Sequence, residues 1–563
     1  MTDANISEQQ ALFKSVLEEL GIATNVDVER FHNLVEMIEY SFSQYSDQPA
    51  FSSLGRTLTY AEVDQLSGQF ASWIQHHTDM EPGDRIALQM PNLIQYPVVA
   101  IGALRAGMVI VNTNPLYSAR ELEHQFNDAE VKVLVVQANV AQTVAQVLPK
   151  TPVTQVLVTE LADFHSPLKR LLINKVAKYV KKMVPPFDIP GAGSLNKALE
   201  LGAQKPFQRV DSPRNGLAML QYTGGTTGVS KGAMLSHGNV ISNVLQVDAL
   251  FDTHGLGETD KVLVQPLPVY HIYAFMTCIY AMLKGSHMVF IPNPRDISSV
   301  VSAMRDYKPA MFCGLNTLFV ALCNNDDFKA LDFSGLKVTL SGGMALSHAA
   351  ADHWKEVTGC EISEGYGLTE TSPVVSSNPG NRKIIGTIGP PVPNTQVKVV
   401  DDDGNTLAIG ERGELFVKGP QVMLGYWQCP EETAKVMDAE GWFGTGDIAV
   451  IREDGFLQIV DRKKDMIVVS GFNVYPNELE DVLYQHDDVL ECAAVGLAHE
   501  TSGEVIKMFV VSSSGNLTAD EVREFCRRSL TAYKVPKLVE FRDELPKTNV
   551  GKILRRQLRD EAR

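Results

Sequence analysis

Between Tyr222 and Gly232 the chain reads Tyr-Thr-Gly-Gly-Thr-Thr-Gly-Val-Ser-Lys-Gly. Its four glycines let backbone amides close on a phosphate, its threonines and serine add hydroxyl donors, and Lys231 brings a positive charge. An apolar, strand-like run from Leu217 to Leu220 precedes the loop, and a helical pattern begins near Asn239. A Walker-type loop places Ser or Thr directly after the lysine; here Ser230 precedes Lys231 and Gly232 follows it. The stretch therefore predicts a polyphosphate cradle of another kind, with Thr223, Gly224, Gly225, Thr226, Thr227, Gly228 and Lys231 on the phosphates.

Five further clusters carry chemistry-bearing side chains. They are Gly365-Tyr366-Gly367-Leu368-Thr369-Glu370, the pair Gly413-Glu414-Leu415 and Gly425-Tyr426-Trp427, Thr445-Gly446-Asp447, Asp461-Arg462-Lys463-Lys464-Asp465, and Pro546-Lys547-Thr548-Asn549-Val550-Gly551-Lys552. In this order, together with the loop at 222–232, they resemble the motifs of the adenylate-forming enzymes: acyl-CoA synthetases, firefly luciferase and peptide-synthetase adenylation domains. The segment from Gly441 to Lys464 is most similar to the fatty-acyl-CoA synthetase wording, with Gly444 where that pattern usually carries His.

The resemblance implies a two-step reaction. A carboxylate is a poor electrophile because its leaving group would be oxide; joining it to AMP supplies a good one. The site must hold the triphosphate, align the carboxylate with the α-phosphorus and stabilise the crowded transition state. On this reading Lys552, Glu370 and His271 are the catalytic group. Glu370 and Thr223 would face Mg²⁺, a hard cation that favours carboxylate oxygen and bridges phosphates. Tyr366 would stack on adenine opposite the Ser341-Gly342-Gly343 turn, with Gly365, Gly367 and Thr369 beside it. Asp447 would accept from the ribose hydroxyls, supported by Arg462. Lys464 would be the hinge of a mobile lid that brings Gly471 and Phe472 to a pantetheine tunnel for the coenzyme A half-reaction. Tyr273 to Met276 and Phe312 to Leu318 are the expected acyl-pocket linings.

The activity implied is a long-chain fatty-acid–CoA ligase using ATP, Mg²⁺ and coenzyme A. Alternatives on the same scaffold are a medium-chain or aromatic carboxylate–CoA ligase; a catalytically silent lipid-binding scaffold would need damage in motifs that are intact. A peptide-synthetase domain would carry an aspartate near His271, and Val269 to Phe275 has none.

The elements that must position these residues follow from pattern. Short apolar strands (Val131 to Val136, Lys261 to Gln265, His287 to Ile291, Ala310 to Cys313, Lys337 to Leu340) alternate with helical periodicity at Tyr273 to Leu283, Ser298 to Asp306, Thr317 to Asn324 and Ser347 to Val357. Such alternation predicts an α/β fold with stacked, largely parallel sheets. After Thr395 short strands and turns predict a small β-rich subdomain, and from 466 a smaller α+β lid whose helix near Ala519 starts with a Thr518–Glu521 capping box. The expected division is 1–460, a hinge at 461–465, and 466–563.

At 563 residues, with 44% hydrophobic content, the chain is globular and too long for one core. A net charge of −17 argues against a general nucleic-acid partner. Seven scattered cysteines without a CxxC pair predict neither a disulfide framework nor a zinc site. The polar N-terminus and the lack of an 18-residue apolar run predict a cytoplasmic protein without a signal peptide or membrane span. One segment departs from this background: Ser166 to Pro186 holds six basic residues and no acidic one, interleaved with Leu168, Leu171, Leu172, Val176, Val180 and Met183. It is a candidate contact with anionic lipid on the cytoplasmic face. Fatty acid, ATP and coenzyme A are the expected partners, and a second copy of the chain is a further candidate.

Overall fold

The computed structural model describes residues 2–223, 230–257, 259–499, 502–548 and 551–562. Apolar runs too short for helices become strands of two large sheets. One has seven strands, in the order Gly193–Ser194, Gln155–Thr159, Val131–Gln137, Arg85–Gln89, Val109–Asn112, Leu217–Thr223 and Lys231–Ser236; all neighbours are parallel except the last pair. The other has eight, in the order Val374–Ser377, Ile362–Gly367, Val338–Gly342, Met311–Gly314, Val262–Gln265, His287–Phe290, Pro49–Ser53 and Arg56–Thr59, antiparallel only at its two edges.

Period-two alternation explains how these sheets stack. Leu263, Met288 and Met311 point into one core with Ile86, Leu88 and Ile110 of the other sheet, and with helices Leu34–Tyr45, Tyr60–His77, Gln95–Arg105, His237–Phe251 and Ile272–Leu283 between them. Their neighbours Val264, Val289 and Phe312 face the opposite way, under helices Ile297–Tyr307, Asn316–Cys323 and His348–Thr358. Ala87, Val109 and Val111 likewise face outward under Ala119–Asp128 and Ala141–Val147. Both strand faces are buried, so the strands read as continuous apolar runs.

A four-stranded antiparallel sheet follows (Gln396–Val400, Arg412–Lys418, Phe443–Ile451, Leu457–Arg462), and a five-stranded one with its own core begins at Ile467–Val469. The Thr518–Glu521 capping box is present at the helix Ala519–Ser529. All seven cysteines are free, and six of them are buried. Among the described residues no helix is long and apolar enough to cross a membrane.

The helix expected near Asn239 starts at His237, and before it lies a further strand, Lys231–Ser236, which runs antiparallel to Leu217–Thr223 and pairs Thr223 with Lys231. Ser236 caps that helix reciprocally with Asn239. Lys231 opens this strand.

Candidate active site

The strand ends converge on a cavity of about 2050 Å³ between the two large sheets, the small antiparallel sheet and the C-terminal unit. Thr223, Lys231, His271, Gly342, Gly343, Gly365, Tyr366, Gly367, Thr369, Glu370, Asp447, Arg462, Lys464 and Lys552 all line it. Thr223 and Lys552, 329 positions apart in sequence, are therefore brought to one cavity by the fold. Gly224, Gly225, Thr226, Thr227 and Gly228 lie outside the described residues.

The adenine-side platform is shaped by glycine. A Cβ on Gly342 would lie 3.3 Å from the Tyr273 ring and 3.4 Å from the Gly365 carbonyl. On Gly367 it would lie 2.0 Å from the Pro373 carbonyl oxygen, which no side chain can tolerate. Tyr366 donates its hydroxyl to Asp447 Oδ2 at 2.5 Å, joining this platform to the carboxylate expected under the ribose. Asp447 is buried, with Arg462 Nε 3.6 Å from its Oδ1. Burial raises its carboxyl above the ordinary range, opposed by Arg462, the Tyr366 hydroxyl, Lys552 and Lys464.

Glu370 and Lys231 occupy the other end. Tyr426 donates to Glu370 Oε1 at 2.8 Å, and the Lys231 ammonium sits 5.2 Å from the centre of the Tyr426 ring. Lys231 also pairs with Glu432 on helix Pro430–Val436. Neither Tyr426 nor Glu432 has an expected role in the sequence, although Tyr426 sits inside a quoted motif; the contact that matters is 56 residues away in the chain.

Lys552 enters from the C-terminal unit on a tight turn. Gly551 has φ +82°, its amide bonds the Thr548 carbonyl at 2.9 Å, and the Lys552 amide bonds Thr548 Oγ1 at 3.1 Å. A Cβ on Gly551 would lie 2.9 Å from Thr317 Oγ1, so only glycine lets the turn approach this closely. The Lys552 side chain reaches Gly343, where an added Cβ would be 3.9 Å from its Cε. Enclosure and the nearby Arg462 push its ammonium down to about 8, against the pull of Asp447 and Glu370. Lys464 is also pushed to about 8, by burial and then Arg462. The same enclosure, with Lys552, pushes the His271 imidazole down to about 4, so it is neutral near pH 7.

Other expectations are redistributed. Gly471 does not line the cavity: it has φ +83° with nothing within 4 Å of an added Cβ, and Phe472 stacks on Tyr533 at 4.8 Å. Of the expected acyl linings, Tyr273, Ala274, Met276, Leu315 and Asn316 face the cavity, whereas Phe275 and Phe312 belong to the core. Phe312 is stacked on Trp354 at 5.6 Å. The apolar arm is built instead by Val247, Leu250 and Phe251 of one helix against Met276, Thr277 and Tyr280 of another. At Gly444 a Cβ would lie 2.9 Å from the Phe416 ring, which occupies the space a side chain there would need.

Residues 38–427 match the AMP-binding enzyme family, and residues 478–552 match the AMP-binding enzyme C-terminal domain. The chain belongs to the AMP-binding enzyme family. Among its relatives, the long-chain-fatty-acid–CoA ligase of Salmonella typhimurium is 50% identical over 546 residues, covering 96% of this chain and 97% of that protein. An anthranilate CoA ligase solved with anthranoyl-AMP superposes with a TM-score of 0.84 at 25% identity, covering 96% of this chain and 99% of its own. ATP-bound MatB from Rhodopseudomonas palustris gives 0.81 at 29%, covering 94% and 99%. The family match spans both the cavity's walls and the unit that delivers Lys552.

Proposed function

We propose that the chain is an AMP-forming long-chain fatty-acid–CoA ligase, converting a fatty acid, ATP and coenzyme A to acyl-CoA, AMP and pyrophosphate. The observation that carries this reading is one continuous cavity. Its polar end holds Asp447, Glu370, Arg462 and Lys552, and its other arm is walled by aliphatic and aromatic side chains. The near-full-length likeness to a long-chain ligase supports the same substrate class.

In the first step a carboxylate oxygen attacks the α-phosphorus and pyrophosphate leaves. Lys552, held in a water-poor position, neutralises charge shared between the attacking carboxylate and the α-phosphate. Lys231 exchanges Glu432 for the terminal phosphates, and Asp447 with Arg462 fixes the ribose. Among the described residues no cluster of three or more His, Cys, Asp or Glu could cage a metal. Mg²⁺, a hard cation, would take one or two protein oxygens beside the phosphates. Glu370 and Thr223 are the residues to provide them, and the ion would screen the triphosphate.

In the second step the coenzyme A thiol attacks the acyl carbonyl, releasing AMP. Lys552 lines the cavity while Gly471 does not, which supports reading this arrangement as the adenylating one. Lys464, in the link between the small sheet and the next, is the pivot that would exchange Lys552 for the Gly471 loop. The boundary of the mobile unit is accordingly at 461–465.

The basic segment supports peripheral contact with an anionic membrane. Among the described residues, seven of the seventeen exposed large apolar side chains lie between Leu168 and Met183, including Leu168 at 79% and Val180 at 70% exposure. Asn174 and Ala177 alone anchor its inner side. Reversing Lys178, Lys181 and Lys182 to Glu should weaken co-sedimentation with anionic vesicles at least tenfold, at about 1 kcal/mol per lysine. Equal partitioning would remove the idea.

The main reading is tested by AMP formation dependent on both ATP and coenzyme A, across saturated acids from butyrate to stearate with benzoate and amino acids as controls. A maximum among the long aliphatic acids is expected. Turnover confined to aromatic acids would overturn the substrate assignment.

A further inference from the structure

Two aromatic rings meet in the apolar arm. His271 stands just before helix Ile272–Leu283 at the polar end, and Tyr280 faces the cavity further along the same helix. At about 1.5 Å of rise per residue, that wall is roughly 13 Å deep. Phe251 crosses to meet Tyr280 there, ring centres 5.0 Å apart and tilted by 54°. Behind Phe251 stands His254, 5.1 Å away, and no residue of the turn Asp252–His254 lines the cavity. An all-trans palmitate is about 19 Å long, with C–C bonds of about 1.5 Å. A straight chain of roughly eleven carbons would fill the arm at the same geometry, and a longer one must displace something.

We propose that Phe251 and Tyr280 form the chain-length gate of the acyl arm, opening toward the Asp252–His254 turn to admit chains too long for the closed arm. Phe251 is the moving member. It is the last residue of its helix, before a single 3₁₀ turn ended by Gly255 at φ +63°, and is 8% exposed, with its ring against Tyr280 and His254. Tyr280 is the fixed member: it lies within its helix and is 5% exposed. Nearby Asp248 is held by Lys284 Nζ at 2.7 Å. The gate rests on the fatty-acid reading above and adds the residues that set its length range.

The test compares kcat/KM for octanoate, dodecanoate and stearate in the wild type and in Phe251→Trp, Phe251→Leu and Phe251→Ala, with melting temperature as a folding control. Phe251→Trp should lower the stearate-to-octanoate ratio by about tenfold or more, the scale at which pocket volume discriminates apolar substrates. Phe251→Leu, the mildest change in volume, and Phe251→Ala should raise it. Ratios within about twofold of wild type in folded Phe251→Trp and Phe251→Leu would overturn the gate while leaving the ligase reading intact, because that shift is far below the tenfold scale. A wild-type protein that activates none of the three acids would overturn the fatty-acid reading and the gate with it.

Discussion

Replacing Lys552 by alanine separates the two half-reactions. Its ammonium titrates near 8 rather than 10.5 because the site strips its water and sets Arg462 beside it. Holding it charged in the empty site therefore costs about 3 kcal/mol, at 1.36 kcal/mol per pH unit. Anionic reactants at the α-phosphate return that energy, most fully when charge builds up in the transition state. The expected loss is of the same size, about 10²- to 10³-fold in the rate of adenylation, as for removing one preorganised donor. Fatty-acid-dependent exchange of pyrophosphate into ATP measures this step. Thioester formation from supplied acyl-adenylate and coenzyme A measures the other, in which the proposed rotation carries Lys552 away, and it should survive within a few-fold. Exchange within about threefold of wild type would refute the assignment, since one lost electrostatic contact costs far more. The pH dependence gives a second check. Lys552 is charged below its pKa and loses its proton as pH rises through about 8, so kcat/KM for adenylation should fall on the alkaline side. The residual activity of Lys552→Ala should lack that limb; if the limb persists, Lys464, also near 8, is the group responsible.

Tyr426→Phe removes the donor to Glu370 Oε1, whose hydrogen bond opposes the rise caused by burial. The carboxylate then protonates at higher pH, so the acid limb of the ATP profile should move toward neutrality and kcat/KM fall about tenfold, the scale of one hydrogen bond to a charged group; an unmoved limb would refute the coupling. Gly367→Ala forces a Cβ to 2.0 Å from the Pro373 carbonyl, and overpacking against backbone should cost about 2 kcal/mol or more. Calorimetry should show a lower melting temperature, and an unchanged one would mean the strand–turn geometry there is wrong.

Residue type and local spacing determined much of this protein. The alternation of short apolar runs with helical periodicity gave stacked parallel sheets, because burial on both faces removes polar positions from a strand. Thr518 and Glu521 fixed a helix start, since a capping box is made within four residues. Lys231, Glu370, Asp447 and Lys552 could be singled out because each sits in a local motif, and the fold brings all four to one cavity. Contacts between distant segments were not legible. Nothing near Tyr426 says that its hydroxyl meets Glu370, or that Glu432 would hold Lys231. The strand Lys231–Ser236 was not legible, because a short strand's identity depends on its partner, here Leu217–Thr223. The acyl arm was the least legible part. Phe275 and Phe312 read as pocket and are core; Val247, Leu250 and Phe251 drew no reading and face the cavity. An apolar side chain looks the same whether it faces another side chain or a cavity, and only the packing of helix His237–Phe251 against Ile272–Leu283 decides between them.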